Sequence, residues 1–471
     1  MSLQFITGNS GNGKTKYLFN RIVKEAKANP RDNYLVIVPE QFTMQTQRQL
    51  VDLSENKAIM NIDVLSFKRL AYRVFDELGI TNLTVLEETG KNLVLRKLAA
   101  QEADKLGVIG RNLNRIGYIS EVKSLLSELV QYNISPEELG RYIASGRLSD
   151  TLSDKLKDVL VLYEAFEKFM QDKYITAEEI LNVLSNVAEE SAILRNSVIA
   201  FDEFTGFTPI QNQLIKKLFV ISKKIYVTLT IDCREDIFKS RGMQELFDMP
   251  KRTVKSLTEM AAFYGIEVEE PIILDKNYRL AENEELSFME QQLFRKRRCS
   301  FKKVPKHIHI DCLRDPKQEL TKIARRINEL VRNENLRYRD IAIVTGDVNI
   351  YAGYVREIFD KYNIPYFIDA TQEILFHPFI EFIRSIPDIA AQNFSADAVF
   401  RFLRCGFTEL SASEIDVLEN YVLACGVRGK SAWDKKWVRL PKHKAGYDIE
   451  LLNQSREYIM ELLKPVYQVF S

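Results

Sequence analysis

The chain has 471 residues, 46% of them hydrophobic and 28% charged, with a formal net charge of +1. This is the balance of a globular protein with cores to bury, on a length that suggests about three domains. The near-neutral total excludes bulk basicity as an argument for nucleic acid. No apolar run reaches the ~18 residues of a membrane helix. Cys233, Cys299, Cys312, Cys405 and Cys425 form no C-x-x-C pair and read as reduced thiols of a cytoplasmic protein. His307, His309, His377 and His443 are equally scattered, and the alternation of the first two reads as strand surface rather than a metal site.

In chain order, Leu3–Thr7 reads as a buried strand and Lys16–Lys27 as a helix. Between them lies Gly8-Asn9-Ser10-Gly11-Asn12-Gly13-Lys14-Thr15. Each position fits the phosphate-loop pattern G-x-x-x-x-G-K-[ST] in its strand–turn–helix context. Its glycines let backbone N–H groups approach phosphates without a Cβ in the way, and the helix N-terminus adds partial positive charge. The pattern gives Lys14 to the β- and γ-phosphates of ATP and Thr15 to Mg²⁺. The competing reading is an ordinary glycine-rich turn.

Leu35–Pro39 is a second strand, with Glu40–Thr43 opening a helix, and Asp63–Leu65 is a third. Ser66 caps a helix over Phe67–Leu78, whose Phe67, Leu70, Ala71, Val74 and Phe75 recur at helical spacing. From Leu86 to about Glu190 the pattern is almost wholly helical. Ser197–Phe201 is an apolar run ending in Asp202-Glu203. Ligands gather at the carboxyl ends of parallel strands, so Asp202 is expected beside Mg²⁺ and Glu203 as the group that orients or deprotonates a water. Lys14 and Asp202 are about 190 positions apart, far more than one β–α–β unit spans, so the helical stretch is an insertion. Ile225–Ile231 is a further strand.

Leu293–Lys306 carries Arg295, Lys296, Arg297, Arg298, Lys302, Lys303 and Lys306 without an acid. A second α/β unit is expected after it, with strands Ile308–Cys312, Ile341–Thr345 and Tyr366–Ile368 and helices Pro316–Asn333 and Tyr351–Tyr362. From about Phe376 the pattern turns helical again. Glu457–Phe470 reads as a helix still in progress, the expectation for a piece of a longer chain. The resulting scheme is a first core over 1–85 plus 190–290, its helical insertion over 86–189, the start of a second core over 300–375, and that core's helical insertion over 376–471.

Taken in order, GNSGNGKT, VPEQ, VLSFKRLAYRVF, VIAFDEFTGFTPIQ, DPKQELTKIARRI and LRYRDIAIVTGD resemble the N-terminal part of the AddB-type subunit of bacterial ATP-dependent helicase–nucleases, a relative of superfamily 1 helicases of the UvrD/Rep kind. The resemblance covers essentially the whole chain. It implies an α/β fold of two RecA-like P-loop NTPase domains, each with a helical insertion. It implies a heterodimer with an AddA-type helicase/nuclease subunit that processes double-strand DNA ends for recombinational repair and responds to a Chi sequence. In that family the partner is the motor. The family's iron–sulfur cluster and nuclease metal belong to its C-terminal region, and neither a matching cysteine pattern nor a nuclease motif occurs here.

The helicase segment G-D-x-x-Q, which couples hydrolysis to DNA, is reduced here to Asp232-Cys233-Arg234-Glu235, which weakens the case for a motor. Lys276-Asn277-Tyr278-Arg279 resembles the helicase N-Y-R segment, which implies Tyr278 on the nucleotide base and Arg279 on the γ-phosphate. A buried tyrosine and a solvated arginine are the plain alternative.

Three places are candidates for single-stranded DNA. Gln41, Thr43 and Ser66 lie near helix N-termini and match segments that contact the strand in the helicase relatives. The basic run at 295–306 is either a phosphate track or a solvated linker. Arg428–Lys444 sets Arg428, Lys430, Lys435, Lys436, Arg439, Lys442 and Lys444 around Trp433 and Trp437. The two indoles either stack on bases or, four residues apart, anchor one helix face on a core. The leading expectation is a nucleotide-binding, non-motor subunit of a DNA-end-processing complex. The alternative is a self-sufficient superfamily 1 helicase with DNA-stimulated ATPase. A small-molecule kinase and a scaffold that binds no nucleotide fit the long insertion and the intact loop less well.

Overall fold

A computed structural model describes residues 1–470 apart from 82–83, 109, 111–116, 147, 172, 296–298, 371–373 and 442–446, and the backbone alone at 467, 469 and 470. Lys296, Arg297, Arg298, Lys442, His443 and Lys444 thus lie outside the described residues. The chain divides into two compact units, Met1–His309 and Ile310–Ser471.

The first unit is an α/β sandwich. It opens with β1 (Ser2–Gly8), α1 (Lys14–Ala28), β2 (Tyr34–Ile37), α2 (Thr43–Leu53), β3 (Ile62–Leu65) and α3 (Phe67–Leu78). A two-residue strand β4 (Val85–Leu86) leads into helices α4 (Glu88–Gln101), α5 (Tyr118–Gln131), α6 (Pro136–Ala144) and α7 (Asp150–Met170). The chain returns through β5 (Ile175–Thr176) and α8 (Ile180–Val187). It then continues as β6 (Val198–Phe201), α9 (Pro209–Ile221), β7 (Lys224–Thr230), α10 (Asp248–Phe263), β8 (Glu267–Val268), β9 (Ile272–Leu274) and α11 (Glu284–Gln292).

Seven of these strands form one sheet in the order β3-β2-β6-β7-β1, with β8 and β9 following one another along the free side of β1. Every pairing is parallel. A parallel sheet covered on both faces needs near-continuous apolar strands, which FITG, LVI, VIAF and IYVTL supply. The two-residue side-chain period then splits each strand between two cores. Val198 and Ala200 face the core under α1 and α2, with Ile6, Leu18 and Phe19. Ile199 and Phe201 face the core under α3, α8, α9 and α10, with Leu70, Leu214 and Leu257.

Helices α4–α7 bury their own core around Leu95, Leu126, Leu162 and Phe166. Inside it Lys91 is only 2% exposed. Its ammonium donates to Glu178 at 2.7 Å and to Glu88 at 2.9 Å, and Lys123 shares Glu88 at 2.5 Å. A buried ammonium persists only when paired in this way.

In the second unit α12 (Pro316–Asn333) and α13 (Val348–Lys361) pack through Leu320, Ala324, Ile327, Ile358 and Phe359. α14 (Pro378–Ala391), α15 (Ala396–Leu403), α16 (Ala412–Cys425), α17 (Lys430–Asp434) and α18 (Ile449–Phe470) enclose a separate core. The strands expected at Ile308–Cys312, Ile341–Thr345 and Tyr366–Ile368 differ from what is found: no strand occurs among the described residues of 310–470. Apolar, β-branched residues make a segment suit a sheet, but a strand exists only where a neighbour completes its hydrogen bonds. Here Ile310, Val344 and Phe367 stand 93%, 93% and 87% exposed. No helix among the described residues is long and apolar enough to cross a membrane.

Replacing Lys91 with alanine strands the carboxylate of Glu178 in the helical core and is expected to cost about 3 kcal/mol, read by chemical denaturation. Burial works to raise the Glu178 carboxyl, but its hydrogen bonds with Lys91 prevail and hold it below its ordinary value. Its stabilising contribution is therefore present above the ordinary carboxylate pKa and is lost as pH falls through the lowered one. In wild type, helical signal from α4–α7 is expected to weaken in that acid window; in Lys91→Ala this acid-sensitive component is absent.

Candidate functional site

The loop after β1 is held in shape from two directions. Gly11 and Gly13 adopt left-handed φ values of +88° and +80°, which a glycine takes without strain. Helix α1 starts at Lys14 with no acid in its first turn, so its N-terminal amides and dipole are available to an anion. From the other side, Tyr278 and Arg279 both donate backbone N–H groups to the Gly11 carbonyl, at 3.0 and 3.3 Å. The Asn277 side chain donates to Ser10 O at 3.0 Å, and Asn12 donates to Leu274 O at 2.5 Å. The contact is close enough that a Cβ on Gly11 would lie 2.7 Å from Asn277 Oδ1 and 2.9 Å from Arg279 Cβ. The ring of Tyr278 lies against Gly13, with the Lys276 ammonium 5.1 Å from its centroid.

The strand alternation that turns Phe201 toward α3 turns the next side chain, Asp202, toward α1. There its Oδ1 accepts from Thr15 at 3.3 Å and from Thr228, and Glu203 Oε1 accepts from Thr15 at 3.3 Å. Phe201, Phe204 and Phe207 pack around Phe67 on the opposite face and fix this corner. Glu203 sits at φ +65°, a conformation costing a non-glycine residue about 1–3 kcal/mol, and this backbone reversal brings its carboxylate beside Thr15.

Burial pushes the Asp202 carboxyl above its ordinary range, and the Glu203 charge adds to that, against hydrogen bonds from Thr228 and Thr15. Burial also lowers the Lys14 ammonium, against the attraction of Glu203 and Asp202. Lys14 Nζ donates to the carbonyls of Gly8 and Asn9 at 3.1 and 3.0 Å. Asp202 Oδ2 is buried and has no hydrogen-bond partner among the described residues. An orphaned buried carboxylate oxygen beside a threonine hydroxyl is the donor set a hard divalent cation takes. Loop amides, Lys14 and Arg279 can likewise take phosphate oxygens. The groups line one cleft of about 760 Å³, together with Tyr278, Gln45 and Gln49.

The segment Asp232-Cys233-Arg234-Glu235 is occupied with internal contacts. Burial alone would raise Asp232, but hydrogen bonds from Arg234 and from Arg295 hold it down at about 2. Arg295, the first residue of the basic run, is only 12% exposed and reaches Asp232 at 2.8 Å. Glu235, at the place of the helicase glutamine, pairs with Lys251 at 2.8 Å.

The residues expected on DNA are placed differently from one another. Gln41 is exposed. Thr43 is buried and donates to Glu40 O at 3.0 Å, and buried Ser66 caps α3 through Arg69 N at 3.3 Å while donating to the Glu40 carboxylate. Trp433 and Trp437 need correction as stacking platforms. They are 0% and 6% exposed and lie edge-to-face at 5.2 Å in the core of the second unit, with Trp437 Nε1 donating to Ala432 O at 3.0 Å. A ring buried on both faces offers none to a base. Asn277, Thr228 and Glu290, absent from the sequence-based candidates, also belong to the site's surroundings. Only Asn277, inside the N-Y-R segment, carried a local signal.

Substituting Gly11 with alanine is expected to cost about 1–3 kcal/mol and to open residues 275–283 to trypsin, measured by thermal melting and limited proteolysis. Single-stranded oligonucleotide is expected to leave tryptophan fluorescence unchanged, since the chain's two tryptophans are both buried.

Residues 5–290 match the family described as ADDB, N-terminal. The chain is 38% identical over its whole length to the AddB subunit of the ATP-dependent helicase/deoxyribonuclease of Lachnoclostridium phytofermentans. It is 33% identical to the proteins of the same name from Clostridium tetani and Clostridioides difficile, over 100% and 99% of its length. It spans 41% of the length of each of these three relatives. The chain belongs to the AddB N-terminal family.

Proposed function

We propose that the first unit binds ATP with Mg²⁺, as the helicase-like part of a subunit of an ATP-dependent helicase/deoxyribonuclease that processes double-strand DNA ends for recombinational repair and reads a Chi-type sequence. The observation that carries the nucleotide reading is the convergence of Lys14, Thr15, Asp202 and Glu203 in one cleft, with Asp202 Oδ2 buried and unpartnered. In this reading Gly8–Thr15 holds the phosphates, Tyr278 meets the base and Arg279 the γ-phosphate, and Thr15 and Asp202 hold the metal. Glu203 is the candidate base if ATP is hydrolysed. The cation's contribution is to neutralise phosphate charge.

The non-motor reading is supported by the closed contacts of Asp232 with Arg234 and Arg295 and of Glu235 with Lys251. A residue that reports nucleotide state to DNA must be free to change partners, and these are engaged within the protein. The motor then resides in an AddA-type partner subunit, and single-stranded DNA passes across this body in the cytoplasm. The proposed organisation is a RecA-like core over 1–85 and 190–290 with its insertion at 86–189. A second RecA-like core begins over 300–375, and its insertion follows over 376–471. Packed α12 and α13 beside the exposed apolar segments at 310, 344 and 367 support the second core.

The test is nucleotide affinity and turnover of this chain with Mg²⁺. ATP is expected to bind, with Lys14→Ala and Asp202→Asn each weakening it about tenfold or more, one lost charge-assisted contact. Turnover is expected to stay low with or without single-stranded DNA. Absence of binding by the parent chain defeats the nucleotide reading; strong DNA-stimulated turnover abolished in Lys14→Ala establishes the self-sufficient helicase instead.

A further inference from the structure

Helix α11 is unusual among the long elements of the first unit in burying none of its residues. It is held by polar contacts. Glu290 Oε1 accepts from the side chain of Asn9, the second residue of the phosphate loop, at 2.8 Å. Asn9 is 4% exposed, and its Oδ1 in turn accepts from the Cys233 backbone at 2.9 Å. Gln291 O accepts from Arg234 at 3.0 Å. Arg295, just beyond the helix, lies 3.9 Å from Glu290 and 2.8 Å from Asp232, with its guanidinium over the Phe247 ring.

This puts a carboxylate, itself 18% exposed, at the rim of a loop built to receive an anion. Its nearest cation is already committed to Asp232, so its charge is only partly cancelled. Its field reaches Lys14. Incoming phosphate and Glu290 therefore repel one another while competing for the field of the same cation. Two sites that oppose each other do so reciprocally: whatever Glu290 subtracts from nucleotide affinity, nucleotide subtracts from the docking of α11.

We propose that Glu290 is an electrostatic latch: it holds α11 on the phosphate loop through Asn9 and is loosened when a nucleotide's phosphates enter. This rests on the nucleotide reading above. Glu290 acts through Asn9 and the local field, so it is a positioning residue.

The experiment measures ATP affinity by titration calorimetry and amide exchange of residues 284–292 with and without ATP–Mg²⁺. It compares wild type, Glu290→Gln and Glu290→Asp, with circular dichroism and melting as fold controls. Glutamine keeps an acceptor for Asn9 and removes the charge; aspartate keeps the charge. The expected result is about fivefold tighter binding in Glu290→Gln, near wild-type affinity in Glu290→Asp, and faster exchange across α11 when ATP is added to wild type but not to Glu290→Gln. Unchanged or weaker binding by a folded Glu290→Gln, or α11 exchange indifferent to ATP in wild type, overturns the latch and leaves the nucleotide reading standing. Loss of ATP binding in wild type overturns both.

Discussion

The Gly11 carbonyl takes two consecutive amides, those of Tyr278 and Arg279, from a segment more than 260 residues away, and the rest of the site depends on that contact. It can form only because β9 runs beside the end of β1, pairing Gly8 with Leu274 and delivering the chain to the loop. A glycine-rich turn between a strand and a helix has many conformations open to it. Here the edge of the sheet selects one, and the absence of a Cβ at Gly11 is what permits the approach. The phosphate loop is thus a tertiary structure, completed by the last strand of the sheet.

Two carboxylates at the ends of neighbouring strands divide the chemistry between them. Asp202 follows β6 and Asp232 follows β7, strands paired side by side. Asp202 is buried with one oxygen unpartnered and its carboxyl raised. Asp232 is surrounded by guanidinium groups and lowered to about 2. Opposite environments give opposite roles: one carboxylate is open to a cation, the other is a strut. The strut fastens the exit of β7 to Arg234 and Arg295, and through Glu290 and Asn9 it abuts the loop that the open carboxylate faces.

Much of this arrangement could be read from sequence because it is written locally. The phosphate loop, the Asp202-Glu203 pair at a strand end and the N-Y-R segment each lie within a few residues. The two-residue period of VIAFDE alone sets Asp202 on the face of α1. What could not be read is the pairing of distant charges. Nothing within a window of 20 residues ties Glu290 to Asn9 or Arg295 to Asp232. The tryptophans show the opposite ambiguity. Spacing of four puts Trp433 and Trp437 on one face whether that face meets a base or a core, and burial decides for the core. Ser66 likewise satisfies its own helix, as hydroxyls near helix starts commonly do. At 308–312, 341–345 and 366–368 the composition of a strand is present and the partner that would make it one is absent among the described residues.

The two-residue ladder between β4 and β5 has a consequence for how such a chain arises. Val85 opposite Ile175 and Leu86 opposite Thr176 place the departure and return of the helical segment side by side, about 5 Å apart. Joining two ends that already touch leaves almost no loop-closure entropy to overcome, whatever the length between them. A segment with its own core and a neck of this width can be lengthened, exchanged or lost while β3 and β6 keep their places in the sheet. The geometry is that of a graft, and it lets the nucleotide cradle and the helical body diverge on separate evolutionary schedules.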